Sequence, residues 1–253
     1  EVDPDKLDML KSGVPPINEP GIKELIVKGY KNNLISFKST YEEPSSSSMF
    51  IICVGTPSNV SGSVNLTYID NCILNILKTS KNRDIIIAIR STVPPDYIES
   101  HLNIKLPKNV QIIANPEFLR EGSALSDFMN PPFTLIGTDN EGKVLDYINL
   151  FKEINSNCVL TSFSSAFLVK YASNVFHALK ATFANEIGMI SESLKVDTNE
   201  VLKIFCMDED LNISKKYLKH GYAIGGSCLP KDIKAILKIA ETNDVELKML
   251  KSI

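Results

Sequence analysis

Met49-Phe50-Ile51-Ile52-Cys53-Val54-Gly55-Thr56-Pro57 is a short apolar run that stops at a glycine, a threonine and a proline. Two runs of the same design follow it. Asp84 to Ile89 (DIIIAI) ends at Arg90-Ser91-Thr92, and Val110 to Ala114 (VQIIA) ends at Asn115-Pro116-Glu117. Phe133 to Ile136 and Cys158 to Leu160 are weaker versions. Continuous apolar runs without alternation are the pattern of strands covered on both faces. Between them, 66–80, 94–102 and 141–154 read as helices. Strands alternating with helices predict a parallel α/β sheet. In such sheets ligands bind beyond the carboxyl ends of the strands. The polar tails are those ends, so Thr56, Thr92 and Glu117 are expected to point at one crevice.

The second half of the chain changes character. Phe167, Tyr171, Val175, Ala178, Phe183, Ile187 and Ile190 recur at helical spacing and predict one long helix over 164–194. A shorter amphipathic helix over 197–207 opens on Asp197-Thr198 with Glu200 behind it, a capping pattern. A further helix is expected over 231–253. The expected organisation is an incomplete Rossmann-like parallel sheet over residues 1–160 and a helical domain over 161–253. The chain opens on Glu1 and stops at Ile253 inside a helical pattern, which reads as an internal piece of a longer protein with Glu1 ending a truncated strand.

Composition excludes several function classes. A net charge of −3 gives no electrostatic argument for nucleic acid. No apolar run is long enough to span a bilayer, and no secretory signal pattern is present. The five cysteines are scattered, odd in number and form no CxxC pair. That argues against a disulfide framework or a metal site and for a reducing, cytoplasmic setting.

Four stretches carry chemistry. In Gly225-Gly226-Ser227-Cys228-Leu229-Pro230-Lys231-Asp232 two glycines allow close backbone approach, and Pro230 suits a first helical turn. The thiol would then stand at a helix N-terminus, where amide dipoles favour negative charge. Lys231 adds a cation and Asp232 a proton carrier, the setting of an activated nucleophile; a buried structural cysteine is the plain alternative. In Asn115-Pro116-Glu117-Phe118-Leu119-Arg120-Glu121-Gly122 two carboxylates stand four apart, which on a helical turn is one side. One could act as base or hold water while the other contacts a cofactor; two solvated acids on a surface turn fit the spacing as well. Lys170, Asn174 and His177 share a face of the long helix. There the lysine could stabilise an oxyanion, with Asn174 orienting it and His177 bonding a sugar, or the three form an exposed polar stripe. Lys215, Lys216, Tyr217, Lys219 and His220 precede Gly221; a basic, aromatic loop suits a pyrophosphate and a base, or is simply solvated.

Taken in order, EVDPDK (1–6), NEPG (18–21), ICVGTP (52–57), RSTV (90–93), NPEFLREG (115–122), KYASN (170–174), FANEIG (183–188) and GGSCLPKD (225–232) resemble the UDP-glucose/GDP-mannose dehydrogenase family over essentially the whole chain. Residues 174–188 and 211–232 look most like its GDP-mannose branch. The resemblance implies an NAD-dependent, four-electron oxidation of a nucleotide-sugar C6 alcohol to a carboxylate, with GDP-mannose as expected substrate and a UDP-sugar such as UDP-glucose as alternative. It implies that Cys228 captures the C6 aldehyde. Lys170 and Asp232 would stabilise and protonate the oxygen at C6, while Glu117 manages water or the base step with Thr92 assisting. Glu117, Lys170, Asn174, His177, Tyr217, Lys219 and Tyr222 would contact the nucleotide sugar. Glu1, Lys6, Thr56, Thr92, Glu121 and Lys231 would contact NAD. It further implies a homodimer through the central helix. The family's GxGYVG loop and second nucleotide-binding domain are not in this sequence, so a non-catalytic nucleotide-sugar-binding or dimerisation module is the reading from another class. Lys219 and His220 stand where the GDP-mannose branch tends to carry arginine and proline, and lysine lacks arginine's bidentate grip.

Overall fold

The computed structural model describes residues 1–40, 47–80, 83–102, 105–140, 144–152, 154, 157–209, 221, 225–242, 244 and 250–253. They fall into two compact units: Glu1–Gly55 with Leu66–Phe167, and Thr56–Asn65 with Leu168–Ile253. The sequence led us to expect a single division near residue 160.

The first unit opens with two helices, α1 (Pro4–Lys11) and α2 (Ile22–Lys31). Asp3 caps α1: its side chain accepts from the amides of Asp5 and Lys6 at 3.0 and 3.3 Å. Pro4, which has no N–H to satisfy, takes the first helical position. The sheet follows as β1 (Met49–Ile52), β2 (Ile85–Ile89), β3 (Val110–Ala114), β4 (Thr134–Gly137) and β5 (Cys158–Thr161), in that spatial order. Helices α3 (Thr67–Ser80), α4 (Ala124–Met129) and α5 (Leu145–Lys152) lie between strands.

The central strands are buried on both faces, which is why their sequence does not alternate. Ile85, Ile87 and Ile89 of β2 pack in one core with Ile69, Ile73 and Ile76 of α3. Ile86 and Ala88 point the other way, against Tyr147, Ile148 and Phe151 of α5. Each fully buried isoleucine contributes roughly 1.5–3 kcal/mol.

Pairing is parallel for β1–β2, β2–β3 and β4–β5, but β3–β4 is antiparallel, through the single pair Ala114 and Gly137. The expected Rossmann-like parallel sheet is present, with this one junction running the other way. The β3–β4 connection contains the six-residue helix α4 and otherwise irregular backbone, and it returns the chain beside β3 in the opposite direction. Asn115 bridges where the ladder ends, donating Nδ2 to Leu135 O at 2.8 Å. A correction concerns 94–102, where only a single π-turn forms at Tyr97–His101. Pro94 and Pro95 have no N–H donors for a regular helix.

In the second unit the main helices are α6 (Phe163–Ser193, which starts in the first unit), α7 (Thr198–Phe205) and α8 (Cys228–Thr242). Asp197 caps α7, accepting from the amides of Asn199 and Glu200. Val175 and Ala178 of α6 form a core with Ile233 of α8, and Ala184 of α6 packs with Leu202 of α7. The helix expected over 231–253 begins three residues earlier, at Cys228, and is described to Thr242; residues 243 and 245–249 lie outside the described residues, and Leu250–Ser252 form a 3-10 turn. No described helix is long and apolar enough to cross a membrane.

Candidate active site

In the second unit the site is built where α6 meets the first turn of α8. Lys170 and Asn174 stand one turn apart on α6, so they share a face. Lys170 is 5% exposed and Asn174 is buried. Tyr171, Val175 and Ala178 bury the neighbouring positions. The polar stripe allowed by the spacing is therefore an interior one. Asn174 also reaches across to the neighbouring helix. Its Nδ2 donates to Oδ2 of Asp232 on α8.

Asp232 is 1% exposed, and a buried carboxylate must be paired or hydrogen-bonded. Asn174 supplies the hydrogen bond, and Lys231 Nζ lies 3.3 Å from Oδ1. The same ammonium donates to Thr56 Oγ1 at 3.1 Å. Lys231 thus joins α8 to the Thr56–Asn65 segment, where Thr56 is buried. Cys228 is the first residue of α8 and is exposed. It stands one turn before Asp232, hence on the same face of the helix. Ser227 Oγ lies 3.8 Å from its sulfur. Gly226 has a φ of +76° and open space where a Cβ would be, a backbone conformation that favours glycine. An accessible sulfur, a buried carboxylate one turn behind it and the Lys231 ammonium beside that carboxylate form a set suited to covalent capture and proton handling.

His177 is partly buried on the same helix. Gly221 N donates to Asn185 Oδ1 at 3.0 Å, tying that glycine to α6. Tyr217, Lys219 and Tyr222, with the rest of the basic loop, lie outside the described residues.

In the first unit the carboxyl ends of β1, β2 and β3 are laced together. Ser91 Oγ donates to Val54 O at 2.7 Å, and Arg90 Nη1 donates to Asn115 Oδ1 at 2.6 Å. Asn115 also accepts from the buried Tyr147 hydroxyl at 2.8 Å. Burial pushes the Tyr147 hydroxyl up to about 12, with Arg90 opposing. Thr92 is buried beyond β2, and Glu117 Oε2 accepts from Leu119 N at 2.6 Å. A Cβ added at Gly55 would meet nothing within 4 Å, so the backbone after β1 is open to a ligand. A strand edge with open backbone, hydroxyls and carboxylates fits the polar face of a dinucleotide.

Glu117 and Glu121 do not share a helical turn. Residues 115–120 are irregular, held by Arg120, whose Nε and Nη2 fork onto Asp127 at 2.9 and 2.5 Å. The Arg120 side chain, with backbone and Ser123 bonds helping, holds the Asp127 carboxyl down at about 2. Glu121 is exposed on the turn that follows. Glu1 and Lys6 both engage Asp3: Glu1 Oε1 accepts from Asp3 N at 3.0 Å, and Lys6 Nζ lies 3.8 Å from Asp3 Oδ2.

Sequence reasoning missed Asn115 as a knot and Asp127 as the anchor of Arg120. The Asn-Pro pair after a strand hints at the first, as a polar residue that ends a buried run. The second pairing, seven residues apart and running from irregular backbone to α4, leaves no periodic signal. Among the described residues no group of three His, Cys, Asp or Glu could hold a metal.

Comparison with known proteins is consistent across the chain. Residues 1–155 match the model of the UDP-glucose/GDP-mannose dehydrogenase family, NAD binding domain, and residues 164–253 match that family's central domain. A GDP-mannose 6-dehydrogenase of Pseudomonas savastanoi pv. phaseolicola is 37% identical over 98% of this chain and 59% of its own length. A UDP-glucose 6-dehydrogenase of Bacillus subtilis is 36% identical over 100% of this chain and 58% of its own. The solved UDP-glucose dehydrogenase from the archaeon Pyrobaculum islandicum superposes with a TM-score of 0.86 at 32% identity, covering 99% of this chain and 59% of that one. The chain therefore spans about three fifths of the length of these relatives.

Proposed function

The chain belongs to the UDP-glucose/GDP-mannose dehydrogenase family, and we propose that it carries the covalent chemistry of an NAD-dependent nucleotide-sugar 6-dehydrogenase whose substrate is GDP-mannose. The observation that carries this reading is the Asn174–Asp232 pairing, which joins the helix of Lys170 to the helix that starts at Cys228. Residues 1–160 are the NAD-binding domain in this reading, and 161–253 the central, dimerising one.

Bound NAD+ supplies the hydride acceptor for two successive oxidations. The first takes the C6 alcohol to an aldehyde, losing a hydride and a proton. The Cys228 sulfur adds to the aldehyde carbon and gives a thiohemiacetal, which prevents escape between steps. Loss of a second hydride from that carbon leaves a thioester. Water adds to it and expels the thiolate, giving the carboxylic acid and restoring the cysteine. Lys170 opposes negative charge on the C6 oxygen at each addition. Asp232 accepts and returns the proton, with Asn174 fixing its orientation. The motif match assigns Glu117 and Thr92 to the water or base step. Thr56, Thr92, Glu1, Lys6, Glu121 and Lys231 are assigned to NAD, and Asn174, His177, Tyr217, Lys219 and Tyr222 to the nucleotide sugar.

The 37% identity to a GDP-mannose 6-dehydrogenase supports the choice of sugar nucleotide, as do the family-like stretches 174–188 and 211–232. The exposed apolar residues Leu168 and Val169 of α6 support a homodimer through that helix. A cytoplasmic setting, with nucleotide sugar and NAD+ both at hand, completes the proposal.

The test is steady-state kinetics of the full-length gene product with NAD+ and each of GDP-mannose and UDP-glucose. The expected result is two NADH per sugar and a kcat/KM at least about 100-fold higher for GDP-mannose. A preference for UDP-glucose would overturn the substrate, and no NADH with any nucleotide sugar would overturn the reaction in favour of a binding module.

A further inference from the structure

We propose that Glu19 is a positioning residue for the dinucleotide, holding the turn that presents Glu121. The inference rests on the reading of residues 1–160 as the NAD-binding domain.

Glu19 belongs to Asn18-Glu19-Pro20-Gly21, a motif the catalytic chemistry leaves without a task. Its carboxylate reaches across the chain to two backbone amides. Oε2 accepts from Gly122 N at 2.9 Å and Oε1 from Ala124 N at 2.6 Å. Bonds of this kind to a carboxylate are about twice as strong as neutral ones. Gly21 makes a second contact in the same place. A Cβ there would stand 2.7 Å from Leu125 Cδ2, so the motif's backbone lies close against that side chain. Its φ of +84° independently calls for glycine.

Glu121 is pinned on its other side as well. Arg120 N donates to Asp127 Oδ2 at 3.0 Å, in addition to the guanidinium fork. The amides before and after Glu121 are therefore both bound to carboxylates, while the Glu121 side chain remains exposed between them. Gly122 adopts a φ of +82° with open space around it, so glycine is there to let the chain turn toward Glu19. Two carboxylates that hold the flanking amides set the direction in which Glu121 points, and a binding group fixed in one direction loses less freedom when its ligand arrives. Glu19 touches no ligand itself and acts through Glu121.

The experiment is calorimetric titration of NAD+ into the full-length protein and into Glu19→Ala, Glu19→Gln, Glu121→Gln and the Glu19→Ala/Glu121→Gln double variant. The expected result is an affinity about tenfold weaker for Glu19→Ala and a smaller loss for Glu19→Gln, whose amide oxygen still accepts one bond. The double variant should bind no more weakly than Glu121→Gln alone, because both changes remove one interaction. Wild-type affinity in Glu19→Ala, or losses at 19 and 121 that add, would overturn the role of Glu19. If Glu19→Ala does not fold, Glu19→Gln paired with Glu121→Gln carries the same cycle. A wild-type protein that binds no NAD+ would instead overturn the NAD-binding reading of residues 1–160, and the inference with it.

Discussion

Asn174 on α6 donates its side-chain amide to the carboxylate of Asp232 on α8, across 58 residues of sequence, with both groups buried. Nothing in either helix's periodicity requires the contact. It places an anion in the interior, between an amide and the Lys231 ammonium, one helical turn behind an exposed thiol.

Removing the amide tests that arrangement. Asn174→Ala leaves Asp232 Oδ2 without its described donor and should cost about 1–3 kcal/mol of stability. Asn174→Asp sets a second carboxylate against the first and should cost more. Both should lower kcat by at least about 10-fold. Thermal unfolding together with steady-state kinetics reads the two effects separately; a stable Asn174→Ala variant with full kcat would show that Asp232 needs no orienting.

Cys228 carries the covalent step, and its exposure means that substitution there should leave the fold intact. Cys228→Ala should keep the melting temperature and lose the full oxidation by at least about 10³-fold. Cys228→Ser should stall after capture or lose the second oxidation, seen as sub-stoichiometric NADH in a single turnover. Undiminished acid formation by Cys228→Ala would remove the cysteine from the mechanism.

Asp127 gives a pH dependence with a defined sign. Its carboxyl is held at about 2 in the fold against an ordinary 3.8. A lowered folded value means that its contribution is fully present above the ordinary value. The contribution shrinks as pH falls from about 4 toward 2 and is absent below that. The stability gap between wild type and Asp127→Asn should be flat above pH 5 and close over that window, measured by denaturant unfolding. A gap that stays constant down to pH 2 would contradict the Arg120–Asp127 fork.

Gly137 sits where β4 ends against the start of α6. A Cβ there would meet Ala166 Cβ and Ser162 O at 2.7 Å and Phe163 Cα at 2.9 Å. Two of these three are backbone atoms and cannot swing aside. Gly137→Ala should therefore destabilise by about 1–3 kcal/mol, read from the urea midpoint; an unchanged midpoint would mean that α6 can shift.

Asn115 is the polar knot of the first unit. Asn115→Ala strands the buried Tyr147 hydroxyl, Leu135 O and one Arg90 donor at once. The expected loss is about 2–4 kcal/mol, with faster hydrogen exchange at β3 and β4. Exchange rates equal to wild type there would argue that the sheet junction holds without it.

The β3 boundaries, Val110–Ala114, were legible in the sequence because a strand covered on both faces must be apolar at every position. The cap of α7 was legible because an Asp before a helix satisfies free amides only in that role. The antiparallel junction of β3 and β4 was not: strand direction depends on the course of the connection in space, which no apolar pattern records. The supposed helical turn at Glu117 and Glu121 failed for a similar reason. Arg120 found a partner at Asp127 and Glu19 found Gly122 and Ala124, and these bonds outweighed local spacing.

What the amino-acid order determined alone is the set of reactive groups and the elements that bear them: a cysteine opening a helix, a lysine and an amide on one face of another, and strands that end in hydroxyls and acids. Periodicity and end chemistry are local, so they are written in the chain. The tertiary structure decided which of these groups meet. It turned Asn174 toward Asp232, gave Lys231 to Thr56 as well as to its neighbour, and spent Arg120 on Asp127. Such pairings follow from how packed helices and loops bring distant polar groups out of water together, where each must find a partner or pay for its burial.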